Sequence, residues 1–302
     1  MDASATDVLS QLSAALAARV AAAQPLAAGI LGGHRGPHSG ILWRPDAIVA
    51  SEQVLPRREA CEVVLPGGAT ATARLVGRDR GTNVAVLKLD QPAGAAEPAR
   101  TEQAAAGALV LALASDGSGG ATARLGIVQR VGPPWHSQAG GRIDRLIRLD
   151  MALGSHEEGG PVLDAAGALL GMSTLGPRGR VMVIPNATIE RVLAPLLAGG
   201  RVERGWLGVS LQPVALPEDM HAAAGQQSGL MVIGLVPGAP AALAGVMQGD
   251  ILLDLDGQAA THPRALAAAL DESRIGRAVA LRLLRAGALH TLSATVVARP
   301  AP

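Results

Sequence analysis

The sequence predicts a mainly β protein in two parts, an all-β barrel or sandwich followed by a smaller α/β module. Its 302 residues suggest two domains rather than one. Between residues 27 and 185, short apolar runs alternate with Gly, Pro, Asp and Asn at roughly even spacing, which is typical of all-β domains. From residue 204 onward, strand patterns mix with two short helical patterns, which indicates a separate unit.

The composition excludes several classes of protein. With 49% hydrophobic and 17% charged residues, the chain has the composition of a folded globular protein. A net charge of +1, with no basic run, argues against nucleic acid as a partner, and no apolar stretch is long enough to span a membrane. The single cysteine, Cys61, cannot form an internal disulfide. Phe and Tyr are absent, so the core is expected to be aliphatic.

The first 24 residues predict an amphipathic helix, because apolar side chains recur at helical spacing from Ala5 to Val20. This helix either packs on the body of the protein or lies on a membrane surface. Asp2, Asp7 and Arg19 stand where a signal peptide would have basic and then uninterrupted apolar residues. The sequence therefore predicts a cytoplasmic protein, or a periplasmic one if the start site is misassigned.

The strands and helices are predicted from apolar runs and from the turn residues that interrupt them. In the first part, strands are predicted at residues 47–50, 61–65, 71–76, 84–89, 109–114, 146–149, 161–163, 168–174 and 181–184, and a helix at 189–197. In the second part, strands are predicted at residues 207–211, 230–236 and 251–255, helices at 240–244 and 263–270, and a closing hairpin at 278–297.

Several motifs in order resemble one family. VGRD at residues 76–79 and TNVAVLK at 82–88 are similar to a segment of the HtrA/DegP-type trypsin-like serine proteases that reads VGxD followed by TDLAVLK. Further matches in the same order are SGIL at 39–42, GIV at 126–128, GGPV at 159–162, GRVERGWLGV at 200–209 and PGAPA at 237–241. The resemblance implies a chymotrypsin-like double β-barrel at residues 25–199 and one PDZ domain at 203–299.

The resemblance also assigns the positions of a catalytic triad, and none of the three holds the residue that the chemistry requires. Gln53 stands at the histidine position, Asn83 at the aspartate position and Glu158 at the serine position. Asp150, eight residues before Glu158, matches a family aspartate and supports this alignment. An amide cannot serve as general base near neutral pH, and without a serine the acyl-enzyme route is lost.

The oxyanion loop also departs from the family pattern. His156 and Glu157 occupy its positions, and His156 replaces a glycine that usually adopts a backbone conformation unfavourable for side chains. The Glu158 carboxylate is therefore expected to fill the anion site itself. Two other interpretations are a relocated serine nucleophile, Ser155 or Ser51, and a metal site built from residues 156–158 with Glu52.

The PDZ-like part predicts a binding site for peptide C-termini. Leu207, Gly208 and Val209 fit a carboxylate-binding loop whose amides converge on the ligand, with Trp206 beside it. Ser210 and Leu211 continue into a strand that would accept the peptide, and Leu266 on the following helix would wall the pocket. The aliphatic walls favour an apolar last residue.

The leading functional hypothesis is a catalytically inactive HtrA-like protein that binds peptide or protein C-termini. It would act as an adaptor, a chaperone-like binder or a regulator in protein quality control, with active HtrA-type proteases as possible partners. Alternatives are a serine-type endopeptidase with non-standard residues, and metal or small-ligand binding in the former active-site crevice. No cofactor is expected, and the resemblance allows a homotrimer.

Overall fold

The computed structural model describes residues 3–32, 36–94 and 98–300. The chain divides into two compact units, Met1–Val202 and Glu203–Pro302. In the described part of the chain, no helix is both long enough and apolar enough to span a bilayer.

The first unit begins with a closed six-stranded antiparallel barrel. Its strands are β1 (Ala27–Ile30), β2 (His38–Arg44), β3 (Ala47–Ser51), β4 (Ala60–Val64), β5 (Thr70–Asp79) and β6 (Val84–Leu89), in the order β1-β2-β3-β6-β5-β4. Small and aliphatic side chains fill its interior, among them Ile30, Ile48, Val63 and Leu87. Ser51 at the end of β3 pairs with Val84 at the start of β6, so the loops that hold Gln53 and Asn83 leave the barrel together.

A second barrel follows in the same unit. It comprises β7 (Leu109–Ser115), β8 (Ala121–Gly132), β11 (Leu146–Asp150), β12 (Pro161–Asp164), β13 (Leu169–Leu175) and β14 (Val181–Pro185). Their order is β11-β14-β13-β12-β7-β8, and a short hairpin of β9 (Trp135–His136) and β10 (Arg142–Ile143) lies outside it. Glu158 lies immediately before β12, at the open end of this barrel.

One apolar cluster joins the two barrels and two helices. Trp43 and Val49 from the first barrel meet Leu113 and Met172 from the second, and Leu193 of α2 (Asn186–Gly199) packs with them. The N-terminal helix α1 (Ala3–Ala23) contributes only its last turns, through Leu16, Val20 and Ala23.

The second unit is a small sheet with short helices. β16 (Val209–Ala215), β17 (Ser228–Leu235), β18 (Ile251–Leu255), β20 (Ala278–Arg285) and β21 (Ala288–Thr295) form a sheet in that order, so β16 is an edge strand. β19 (Gln258–Ala259) pairs with β18, and β15 (Gly205–Trp206) pairs with β22 (Val297–Ala298). The helices are α3 (His221–Ala224), α4 (Pro240–Leu243) and α5 (Pro263–Ala269).

The predicted fold class is confirmed, since both barrels and the α/β unit are present. Three barrel strands, β1, β2 and β8, lie outside the predicted ranges, and the N-terminal helix packs only in part. β8, twelve residues long, was not predicted because most of its residues are exposed and it carries no apolar run. The N-terminal helix forms, yet Val8 and Leu9 on its first half are 63% and 68% exposed instead of packing on the body.

Candidate functional site

The three positions that the sequence resemblance aligns with a triad converge at the crevice between the two barrels. Gln53 and Asn83 lie in loops of the first barrel, and Glu158 in a turn before β12 of the second. The Glu158 carboxylate is turned inward, and the residue is only 2% exposed. Burial of a carboxylate is costly unless hydrogen bonds replace its water, so its donors define this site.

Side chains supply these donors. Glu158 Oε1 accepts hydrogen bonds from Gln53 Nε2 at 2.5 Å, Ser51 Oγ at 2.8 Å and Thr174 Oγ1 at 2.9 Å. Asn83 Nδ2 is further away, at 3.4 Å. The Glu158 carboxylate is directed away from solvent, as expected of a self-filled site, and the donors described for it are side chains, including the one at the predicted histidine position.

Asn83 organises the hydroxyl groups around Glu158. Its Nδ2 donates to Ser51 Oγ at 2.9 Å and to Thr174 Oγ1 at 2.8 Å. Each hydroxyl thus accepts from Asn83 and directs its own proton to Glu158. Asn83 Oδ1 accepts from the backbone N–H of Gln53 at 2.8 Å. The backbone of Asn83 has φ 58°, in the left-handed region that asparagine tolerates better than most residues.

Gln53 closes the network toward the second barrel. Its Nε2 donates to Glu158 and also to the carbonyl oxygen of Leu175 at 3.0 Å, so both amide hydrogens are used. The network holds hydroxyls, amides and one carboxylate, and it contains no imidazole. Ser51 is fully buried, and its hydroxyl donates to the Glu158 carboxylate beside it.

The residues at the predicted oxyanion positions lie in a turn before β12. His156 is exposed and is not among the described non-glycine residues with positive φ. The N–H of Glu157 donates to the carbonyl oxygen of Gly154 at 3.0 Å, which forms a closed turn. Gly159 has φ 95°, and a Cβ there would lie 2.3 Å from the carbonyl oxygen of Ser39, so glycine is required at this position.

Glu157 forms a separate buried ion pair. It is 4% exposed, and its carboxylate accepts from Arg124 Nε at 2.7 Å and from the N–H of Gly154 at 2.6 Å. Burial by itself would raise the pKa of Glu157, but the hydrogen bonds from Arg124 and Gly154 and the charges of Arg124 and His156 outweigh burial and lower it. Glu157 is therefore held as a carboxylate.

The carboxylates proposed as metal ligands have separate partners. Glu52 lies 3.6 Å from Arg78, Glu157 is paired with Arg124, and Glu158 belongs to the network above. Within residues 3–32, 36–94 and 98–300, no three His, Cys, Asp or Glu side chains are grouped to hold a metal ion. Ser155, the other proposed nucleophile, lies in an exposed turn.

The second unit places the predicted carboxylate-binding loop between β15 and the edge strand β16. Gly208 has φ 78°, and a Cβ there would lie 2.2 Å from the Cβ of Ala239. Two carbonyl groups fix the loop, because Leu207 O accepts from the N–H of Ala241 and Gly208 O from the N–H of Val236, both at 2.9 Å. Among the described residues, no acceptor is bound by the N–H of Leu207 or Gly208.

The other predicted peptide-binding residues differ in accessibility. Ser210 is exposed, and Trp206, Val209 and Leu211 are partly exposed. An apolar pocket lies behind β16, lined by Leu207, Val209, Leu211, Val232, Val246, Leu252, Leu281 and Leu283. Leu266 is 5% exposed in the core of the unit and is not one of the residues that line this pocket.

The sequence alone did not identify Thr174 or the bridging role of Ser51. Thr174 lies 91 residues from Asn83 along the chain, and only the meeting of the two barrels brings them together. A usable signal for Ser51 was its position at the end of β3, two residues before Gln53. Thr174 also lies near the end of a strand, β13, but it is not adjacent to a triad position in the sequence.

Comparisons with known proteins agree with this architecture. A family model described as "Trypsin-like peptidase domain" matches residues 38–172, and one described as "PDZ domain" matches residues 205–296. The protein named "Probable periplasmic serine endoprotease DegP-like" from Brucella suis is 30% identical over 283 residues, which cover 89% of this chain and 54% of that protein. "Protease Do-like 1, chloroplastic" from Arabidopsis thaliana is 27% identical, with 88% and 64% covered.

Solved structures resemble the whole chain. "HtrA-type protease AlgW with decapeptide" superimposes with a TM-score of 0.72 at 26% identity, and 94% of this chain and 98% of that chain are covered. The serine endoprotease from Yersinia pestis gives a TM-score of 0.70 at 25% identity, with 93% and 97% covered. The chain spans about half the length of the first curated relatives. With its trypsin-like double barrel followed by one PDZ domain, this chain belongs to the HtrA/DegP-type family of trypsin-like serine proteases.

Proposed function

We propose that this chain is a catalytically inactive HtrA-type protein that binds the C-termini of peptides or proteins through its PDZ domain. The observation that carries this proposal is the buried Glu158 carboxylate at the nucleophile position, bound by Gln53 at the histidine position. The names of the relatives describe endoproteases, so the competing function is proteolysis by non-standard residues.

The absence of a covalent route follows from the roles that the chemistry needs. A serine protease requires an accessible hydroxyl, a histidine that accepts its proton and amides that stabilise the oxyanion. The hydroxyl of Ser51 is buried, and its neighbour Gln53 is an amide with both hydrogens donated. The hydrogen bonds around Glu158 instead support a structural role for this network.

The PDZ unit supports the binding function. The edge strand β16 offers its backbone to an extended peptide, and the loop at Leu207 and Gly208 offers two N–H groups for a terminal carboxylate. The aliphatic residues behind β16 favour an apolar last side chain such as Val, Leu or Ala. The solved relative described as bound to a decapeptide is consistent with peptide binding in this family.

The physiological role that we propose is that of an adaptor, chaperone-like binder or regulator in protein quality control, with active HtrA-type proteases as partners. Assembly into homotrimers is part of this proposal. The names of the bacterial relatives describe periplasmic proteins, which favours the periplasmic alternative over the cytoplasmic prediction.

Casein digestion by the purified full chain tests inactivity, with and without a covalent inhibitor directed at serine. We expect no turnover in either sample. Turnover that the inhibitor abolishes, and that persists through further purification, would establish the protease function instead.

Peptide binding is tested with the same protein and a library of fluorescent peptides that differ in their last residue. We expect Val, Leu and Ala to be preferred, and amidation of the C-terminus to abolish binding because the loop would lose its carboxylate ligand. Equal binding of free and amidated peptides would contradict the proposed site.

A further inference from the structure

An unpaired arginine cluster lies on the outer surface of the second barrel, in the first unit. Arg148 of β11 stands directly opposite Arg130 of β8 in the antiparallel pair. Its neighbours Ile147 and Leu149 are buried in the barrel interior, so Arg148 points to the outer face. Like charges at directly opposed positions are destabilising, so a compensating negative charge is expected nearby.

The protein itself does not supply that compensation within the described residues. Arg130, Arg148 and Arg180 have no ion pair with any carboxylate placed by the structure, whereas seven other arginines of this unit form one, as Arg124 does with Glu157. Moreover, the Nε of Arg148 is buried without a hydrogen-bond partner. A buried donor with no acceptor is unfavourable, so the protein does not fully satisfy this guanidinium group by itself.

A pocket adjoins this arginine cluster. Arg148, Arg180, Gln129, Asp150 and Met151 are among the residues that line it. The lining therefore includes two positively charged residues and one amide residue. Asp150 contributes a single negative charge, which lowers the excess of positive charge in the lining. This disfavours a doubly charged ligand such as phosphate.

We propose that this pocket binds a carboxylate from an acidic segment of a partner protein. The guanidinium fork of arginine matches the geometry of a carboxylate, and the terminal N–H groups of Arg148 would donate to it. Arg180 would contact the same group from the β14 side, and Arg130 would strengthen attraction from the rim. The residues that line this pocket differ from those of the network at Glu158 and from those of the PDZ loop.

The test measures binding of a fluorescent peptide to the full chain by anisotropy at low salt. The peptide alternates Gly and Glu and has a blocked N-terminus and an amidated C-terminus, so the PDZ loop has no terminal carboxylate to bind. The same peptide with Gln in place of Glu controls for charge. We expect the Glu peptide to bind and the Gln peptide not to bind, and we expect binding to weaken as salt is raised.

Variants locate the site. Arg148→Gln and Arg180→Gln are expected to weaken binding about tenfold or more, the loss typical of a charge-assisted hydrogen bond. Arg178→Gln is the matched control, because Arg178 carries the same charge two residues from Arg180 and does not line the pocket. It should change affinity less than twofold. Thermal melting of Arg148→Gln should show no loss of stability, since the variant removes a like-charge pair.

Competition with small anions tests whether the pocket prefers a carboxylate within a peptide. Free glutarate should displace the peptide only weakly, because it lacks the flanking backbone, and inorganic phosphate should be no better. Equal weakening by all three arginine substitutions would show diffuse attraction and overturn the pocket. Displacement by phosphate at lower concentration than glutarate would overturn the assignment of a carboxylate ligand.

Discussion

Glu158 brings a carboxylate into a buried crevice, and its three closest donors replace the water that it loses. Gln53, Ser51 and Thr174 each donate to one oxygen, and Asn83 orients the two hydroxyls. Because every member depends on another, substitution of one residue leaves polar groups of the others unsatisfied. At the residue scale, the network is therefore expected to act as a unit in stability.

Replacing Glu158 by Ala should lower the free energy of unfolding of the first unit by about 2 to 4 kcal/mol, because three buried donors lose their acceptor. Glu158→Gln keeps an acceptor oxygen and should cost about half as much. Urea denaturation of the full chain measures both. Glu62→Ala, at an exposed position of β4, is the control and should change stability by less than about 0.5 kcal/mol. A Glu158→Ala variant as stable as this control would contradict the structural role.

Loss of Arg124 should weaken the protein in a pH-dependent way. The pKa of Glu157 is lowered in the folded state, so its ion pair stabilises the fold above the unfolded pKa, near 4.5, and this contribution disappears as pH falls through the folded pKa. At pH 7, Arg124→Gln should lower the free energy of unfolding only modestly, since the arginine is half exposed. Denaturation of the wild type and Arg124→Gln at pH 7 and again below pH 4 measures this loss. If the difference between their free energies of unfolding stayed constant through the acid range, the role of the ion pair would be contradicted.

The loop and edge strand of the PDZ unit are the elements that would bind a peptide. The conformation of this loop depends on a glycine, Gly208. Gly208 adopts positive φ with its Cα against Ala239, so any side chain there meets both backbone strain and a collision. Gly257 has a similar φ of 77°, but an added Cβ there would meet no atom within 4 Å. A side chain at Gly257 would therefore meet only backbone strain, whereas one at Gly208 would also collide with Ala239.

Gly208→Ala should therefore reduce C-terminal peptide binding at least tenfold and destabilise the second unit by about 2 to 3 kcal/mol. Gly257→Ala should cost about 1 kcal/mol and leave peptide affinity unchanged. Fluorescence anisotropy with an apolar C-terminal peptide and denaturation of the full chain measure these effects. If both variants bind equally well, the loop at Gly208 is not the carboxylate site.

The N-terminal helix divides into an exposed half and a packed end. Val20→Ser should reduce the free energy of unfolding by about 1 to 2 kcal/mol, since Val20 contacts the cluster shared by the barrels. Leu9→Ser, at a 68% exposed position, should change it by less than about 0.5 kcal/mol. Chemical denaturation at low protein concentration compares the two. Equal losses would mean that the first half of the helix is also covered.

For the whole molecule, the sequence was sufficient for the architecture but not for the contacts. Apolar runs predicted strands such as those at Val84 and Val181, because buried barrel strands need apolar residues. They did not predict β8, whose exposed face removes the pattern. Motif order located Gln53, Asn83 and Glu158, while the direction of the Glu158 side chain depended on Ser51 and Thr174, which long-range packing brings together.

Restoration variants test the cause of the proposed loss of catalysis. A variant carrying Gln53→His, Asn83→Asp and Glu158→Ser replaces the three triad positions, and a second adds His156→Gly in the oxyanion loop. We expect the first to remain inactive, because it keeps His156 in the oxyanion loop and acyl transfer needs amides directed at the oxyanion. Casein turnover by the first variant would show that the oxyanion loop is no obstacle.

The most direct measurement is labelling of the purified wild-type chain with a fluorophosphonate probe, which reacts covalently with activated serines, beside casein turnover in the same sample. With Glu158 at the nucleophile position and Ser51 fully buried, we predict no labelling and no turnover. Stoichiometric labelling of a serine, accompanied by loss of casein turnover, would contradict the central claim that this HtrA-type chain has lost its proteolytic chemistry.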